Sequence, residues 1–154
     1  FRIGKHLLFR KKGAERMKLE LHHINFATRD VDKMNKFYKK ILQLNTETND
    51  LPVLEKKRGY AGDVSFVSDG HIQMHIAEKD LEVNFKTGHY INPVEKGHIA
   101  YRTDNLEKFK DHLKKNGIKF TDWGNIGVSG WDQIFFYDPD GNVIEVHQKN
   151  TNSN

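Results

Sequence analysis

The chain contains no cysteine. Disulfides and thiolate metal sites are therefore excluded, and any bound metal has to be held by His, Asp, Glu or an amide oxygen. A reducing compartment is compatible with this, and the expected location is cytoplasmic. No apolar run approaches the ~20 residues needed to cross a bilayer, so no membrane partner is expected. A third shortage is of excess positive charge in the body of the chain, despite a net charge of +4 and a pI near 9.2. Of 25 basic and 21 acidic residues, six basic residues (Arg2, Lys5, Arg10, Lys11, Lys12, Arg16) and one acid (Glu15) lie in the opening segment FRIGKHLLFRKKGAER. The remaining 19 basic and 20 acidic residues nearly cancel. No basic groove is indicated, and no nucleic-acid partner is expected.

The opening segment has no initiator Met and no small-residue cleavage site. Ile3, Leu7 and Leu8 could share a face with basic flanks, as in a transit peptide or a membrane-surface helix. The reading adopted is a basic extension over 1–16, upstream of a natural start at Met17. Residues 17–150 are read as a single domain and 151–154 as a tail.

The domain repeats itself. HINFATRDVDKMNKFYKK, from His23 to Lys40, aligns with HIAYRTDNLEKFKDHLKK, from His98 to Lys115, at a constant offset of 75. Each copy reads as a strand, a polar turn and a helix. In the first helix Val31, Met34, Phe37, Tyr38, Ile41 and Leu42 are spaced for one apolar face, with Asp30 as N-cap. In the second, Leu106, Phe109 and Leu113 repeat that spacing. Asp104 with Glu107 resembles a capping box, and Gly117 provides the stop. Three strand-like runs follow each helix: DVSFVSD, HIQMHIAE and a weaker LNTETN in the first half, GIKFTDW, DQIFFYD and NVIEVHQ in the second. Asp69-Gly70 and Asp140-Gly141 mark turns into the last strand of each half. The expected fold class is therefore α+β, built from two modules at about 18–80 and 96–148. KDLEVNFKTGHYINPVEKG reads as a connecting loop, placed to lie over a site.

Strand alternation assigns faces. Ile24 and Phe26 face the helix, so His23 faces the open side. The same logic puts His98 and Ala100 on the open side, and likewise Val143, Glu145 and His147. In HIQMHIA the open side takes His71, Gln73 and His75. A glutamate inside a strand is unusual, and a cation facing Glu145 would account for it. The candidate metal set is His23, His75, His98 and Glu145, with Gln73 competing for the place of His75. Imidazole and carboxylate suit Zn, Ni, Co, Mn or Fe. His22 is expected on the helix side as a structural residue. His71, His89, His112 and His147 are expected to be solvated, with His147 also able to support a ligand from behind. Trp123, Trp131 and Tyr137 are candidate pocket walls.

HHINFATRDVDKMNKFYKKIL, GHIAYRTDNLEKFKDHLKKNGI and FFYDPDGNVIEVHQ together resemble the vicinal oxygen chelate superfamily, which includes glyoxalase I, methylmalonyl-CoA epimerase, extradiol dioxygenases, fosfomycin-resistance thiol transferases and bleomycin-resistance proteins. The resemblance covers Lys18 to Gln148. It implies paired βαβββ modules in a cupped mixed sheet with helices on the outer face. It also implies one divalent metal ion on His23, His98 and Glu145, with His75 or Gln73 at a variable fourth position, and a homodimer. The implied function is a metal-dependent lyase or isomerase acting on a small molecule whose two neighbouring oxygens chelate the metal. Glu145 would shuttle a proton, and His75 is a second catalytic candidate. Alternatives within the resemblance are an Fe(II) dioxygenase and a thiol transferase. Outside enzymes, the alternative is a metal-free protein that sequesters a drug. Glyoxalase I typically carries a glutamate at the fourth position, and this chain does not.

Overall fold

The computed structural model describes residues 16–45, 50–56 and 59–150. The basic extension, the C-terminal tail and most of LNTETN lie outside the described residues, apart from Arg16, Leu44 and Asn45.

The elements run β1 (Glu20–Thr28), α1 (Val31–Lys40), β2 (Val64–Ser68), β3 (Gln73–Glu78), α2 (Val83–Thr87), β4 (Gly97–Arg102), α3 (Leu106–Lys115), β5 (Phe120–Gly124), β6 (Trp131–Tyr137) and β7 (Val143–Lys149). The seven strands form one open mixed sheet in the order β2-β3-β1-β4-β7-β6-β5. β1 is parallel to β3 and β4 is parallel to β7. The two first strands, β1 and β4, meet antiparallel at the centre, which brings the two halves together along their histidine-bearing edges. The α+β class and the mixed sheet agree with the sequence reading.

The second half is a complete βαβββ unit. In the first half Asn45 forms an isolated bridge to Ser68, and the rest of the LNTETN run after it lies outside the described residues.

Local signals explain the helix ends. Asp30 caps α1 through a bond from Lys33 N at 2.9 Å. In α3 the cap is Asn105, whose Oδ1 accepts from Lys108 N at 2.9 Å, so the expected cap at Asp104 is one residue early. Gly117 follows α3 with φ of +68°, a left-handed geometry that glycine adopts without strain.

The two faces of the sheet carry different cores. On the helix face Leu106, Phe109 and Leu113 of α3 pack on Ile134 and Val146. On the opposite face Ala77, Trp123 and Phe135 pack against Val83, Ile91 and Val94 of the connector. The connector is therefore partly helical and closes over the sheet. α1 buries none of its residues; Phe37, Ile41 and Leu42 remain at least half exposed. Its apolar face is real but only partly covered by the sheet.

Candidate metal centre

The centre lies where β1, β4 and β7 run side by side. His23 Nε2 and His98 Nε2 are 3.4 Å apart. Glu145 Oε2 is 3.0 Å from His98 Nε2 and 3.6 Å from His23 Nε2. The ligand-capable atoms of these three residues lie within 4.8 Å of one another, and the three side chains are almost closed to solvent.

Hydrogen bonding fixes which ring nitrogens face inward. His98 Nδ1 is 2.8 Å from the carbonyl of Pro93. A carbonyl only accepts, so Nδ1 carries the hydrogen and, in the neutral ring, Nε2 presents a lone pair. His23 Nδ1 lies 3.0 Å from His22 Nδ1. With His22 as acceptor, His23 also turns a bare Nε2 to the centre. Such outward N–H bonds are how metal-binding histidines are held.

Burial is the largest influence on His23 and pushes its pKa down to about 4, against an opposing pull from Glu145. Burial alone would raise the pKa of Glu145. The charge and hydrogen bonds that His23, His147 and His98 supply when their rings are protonated outweigh it, and the carboxyl is held well below its usual range. At neutral pH the carboxylate is thus ionised and His23 neutral. A fully buried negative charge facing imidazole lone pairs is costly without a cation between them. The donor set, two imidazoles and a carboxylate, fits a divalent transition metal.

The other oxygen of Glu145 is held from behind. Gln133 Nε2 donates to Oε1 at 3.0 Å. His147 Nδ1 is 2.9 Å from Oε1, close but not aligned as a hydrogen bond. His147 Nε2 accepts from Arg102 Nε at 3.1 Å. Arg102 in turn donates to Asp50 and lies over the Trp131 ring, 4.9 Å from its centroid. These groups leave Oε2 to the centre.

Three histidines differ from expectation. His147 is fully buried, not solvated; it stacks on Trp131 at 4.3 Å and supports Glu145. His22 is not on the helix side. Leu21 pairs with Tyr101 and His23 with Ala100, so His22 is an extra residue in a β-bulge. The bulge turns its ring toward His23, Trp131 and His147. Strand alternation gives no warning of this, because it assumes an unbroken ladder. His89 is half-buried and bonded to Thr121 Oγ1 at 2.6 Å. His71 and His112 are exposed as expected.

His75 is buried and its ring stacks on His23 at 3.8 Å, yet it falls outside the three-residue grouping. Its Nε2 is 2.8 Å from Gln73 Oε1. The Gln73 amide is oriented by a bond from its Nε2 to the Asp50 carbonyl, so the amide oxygen accepts and His75 Nε2 donates. A donating Nε2 has no lone pair for a metal, so in the neutral ring only Nδ1 could offer one. Gln73 was missed as the partner that occupies His75, because the sequence offered the two as rivals.

A cavity of about 80 Å³ opens above the centre. Trp123 and Trp131 line it, together with Val83 and Val94 of the connector. Tyr137, the third expected wall, is 44% exposed and faces elsewhere.

Comparison with known proteins gives relatives of the same build. The chain is 28% identical over 131 residues to the Arabidopsis thaliana protein named Glyoxylase I 4, covering 82% of this chain and 68% of that one. A hypothetical protein from Bacillus halodurans C-125 has the same fold, with a TM-score of 0.63, 20% identity, and coverage of 88% of this chain and 98% of that one. Methylmalonyl-CoA epimerase from Mycobacterium tuberculosis is also similar in fold, with a TM-score of 0.58, 16% identity, and coverage of 84% and 87%. Residues 20–146 match the family described as the Glyoxalase/Bleomycin resistance protein/Dioxygenase superfamily, and the chain belongs to that superfamily.

Proposed function

We propose that this protein is a metal-dependent lyase or isomerase acting on a small molecule with two neighbouring oxygens. The observation that carries the proposal is the inward-facing His98 Nε2, bare of hydrogen in the neutral ring, only 3.0 Å from an ionised, buried Glu145. A proton on His98 Nε2 or a bound cation satisfies that contact, and with the ring neutral a cation does so. His23, His98 and Glu145 would hold it. A bound divalent metal would supply Lewis-acid polarisation of a substrate carbonyl, making the adjacent C–H more acidic.

The chain's own residues do the rest. Val83, Pro93 and Val94 of the connector wall the cavity with hydrocarbon, and a drier site strengthens every charge interaction within it. Gln133 holds Glu145 Oε1, with His147 Nδ1 close beside it, and Oε2, when free of a metal, is the atom that can take and return a proton at the carbon next to the carbonyl. His75 is the second candidate for proton movement. Burial keeps it neutral by pushing its pKa well below the usual value.

Two histidines and one carboxylate also form the ligand pattern of non-haem Fe(II) oxygenases, so an Fe(II) dioxygenase is the second reading. Sequestration of a drug without metal is disfavoured, because it gives no reason to bury a carboxylate among imidazoles. A homodimer belongs to the proposal, supported by the resemblance and by the exposed apolar side chains of Phe37 in α1 and of Ile41 and Leu42 just after it.

The test is metal analysis of untagged protein purified without chelators, alongside Glu145→Gln. About one metal per chain in the wild type, lost in the variant together with activity on 2-oxoaldehyde–thiol adducts, is expected. A metal-free wild type with unchanged properties in the variant defeats the proposal. Iron as the retained metal, with turnover of a catechol, selects the second reading.

A further inference from the structure

Asp50 reaches both sides of the centre. It opens a short segment of the first half, 50–56, that is laced to the β5–β6 connection of the second half. Val53 O accepts from Ser129 N at 2.8 Å, Glu55 N donates to Gly127 O at 3.2 Å, and Leu54 bridges Val128. The Asp50 carboxylate accepts from Lys149 Nζ at 2.7 Å on Oδ1 and from Arg102 on Oδ2. Its carbonyl accepts from Gln73 Nε2 at 2.9 Å. Asp50 is 34% exposed, and an ion pair open to water adds little stability by itself. What the contacts do is fix where the Arg102 guanidinium and the Gln73 amide lie.

Those two groups decide where two imidazoles carry their hydrogens. Arg102 Nε only donates, and it lies 3.1 Å from His147 Nε2. That nitrogen is therefore bare, and the ring's hydrogen is on Nδ1, 2.9 Å from Glu145 Oε1. On the other side the Gln73 amide donates to Asp50 through Nε2 and accepts from His75 Nε2 through Oε1. In the neutral ring the hydrogen of His75 is therefore on Nε2. Without Arg102, His147 could move its hydrogen to Nε2 and turn a bare Nδ1 toward the carboxylate, lone pair against lone pair. Without an oriented Gln73, His75 could move its hydrogen to Nδ1 and leave Nε2 bare for a metal.

We propose that Asp50 is a positioning residue for the centre: through Arg102 it keeps His147 in the Nδ1–H form beside Glu145, and through Gln73 it keeps His75 in the Nε2–H form, withholding that nitrogen from a metal. The effect on a metal rests on the metal-dependent reading above; the two ring assignments do not. Asp50 thereby joins the site to the segment that walls it, because Pro52 and Leu54 of the same segment line the cavity.

Long-range ¹H–¹⁵N NMR of the imidazole rings in metal-free protein at neutral pH shows which nitrogen carries each hydrogen. The wild type is expected to show His147 bare at Nε2 and His75 bare at Nδ1. Arg102→Met is expected to give a mixture of the two forms at His147 alone, Gln73→Met at His75 alone, and Asp50→Ala at both. Zn²⁺ affinity, measured by chelator competition, is expected to fall roughly tenfold to a hundredfold in Asp50→Ala, the usual effect of losing a group that orients a ligand from behind. Opposite ring assignments in the wild type, or rings unmoved in all three variants, overturn the proposal even if thermal stability falls. Rings that move while Zn²⁺ affinity stays the same overturn the place of Asp50 in the metal centre. A wild type that binds no Zn²⁺ overturns the metal-dependent reading instead, and the NMR still decides the ring assignments.

Discussion

His75 and Glu145 occupy equivalent places in the two halves of the sheet. Asn25, two residues after His23, pairs with His75; Ala100, two residues after His98, pairs with Glu145. The backbone is repeated, yet the chemistry is not: one position carries an imidazole tied to Gln73, the other a carboxylate facing two imidazoles. The centre is therefore asymmetric on a symmetric frame.

That asymmetry predicts different outcomes at the two positions. Glu145→Gln should weaken metal binding by a factor of a hundred or more, since it removes the only charged donor of the three. His75→Gln should leave metal affinity within about threefold, because its Nε2 is committed to Gln73. Competition with a chromogenic chelator measures both. A large loss of metal in His75→Gln would make His75 a ligand after all.

Acid should unfold the metal-free protein earlier than its composition suggests. His23 has its pKa pushed from 6.5 down to about 4 by burial, so between these values the unfolded chain binds a proton that the folded chain does not. Stability from this group is complete above pH 6.5 and is lost as pH falls toward 4, by roughly 3 kcal/mol at 1.36 kcal/mol per pKa unit. The depressed pKa values of His75 and Glu145 act in the same direction. Urea unfolding from pH 7.5 to 4.5 in excess chelator checks this, and His23→Asn should flatten the slope. An equally steep slope in that variant would remove His23 from the explanation.

Gly97 should not tolerate a side chain. Its φ is +96°, and a Cβ there would lie 2.1 Å from the backbone oxygen of Asn25. Gly97→Ala should cost about 2–3 kcal/mol through backbone strain and displacement of β1 from β4. Because His98 is the next residue, metal retention should fall as well. Thermal denaturation with and without metal separates the two effects.

If the proposed homodimer uses α1, Ile41→Glu should halve the mass seen by light scattering while leaving the circular dichroism spectrum intact. Ile41 is 59% exposed, so the variant has little reason to misfold. A dimer that survives places the interface on another surface, and a monomeric wild type removes the dimer from the proposal.

Much of this was legible in the sequence. The offset of 75 between the two HI-strand-helix copies revealed the duplication, because the strand and helix periods repeat with the residues. Alternation put His23, His98 and Glu145 on one face, because neighbouring strand residues must point apart. It placed His75 on the same face as well, but could not say that Gln73 would engage it, since that depends on where the Asp50 carbonyl comes to lie. His22 and His147 were misjudged for a related reason. A bulge appears only when two strands are laid side by side, and burial of a polar ring depends on which element covers it.

Sequence alone settled the plan of the chain: a duplicated strand-helix-sheet unit without thiols, carrying histidines and a glutamate at repeating places. Those properties are local, set by residue type and period. Tertiary structure decided which nitrogen of each ring faces inward, that β1 and β4 bring the halves together, and that the connector roofs the cavity. Such outcomes rest on contacts between residues far apart in the chain, and no local period encodes the distance between them.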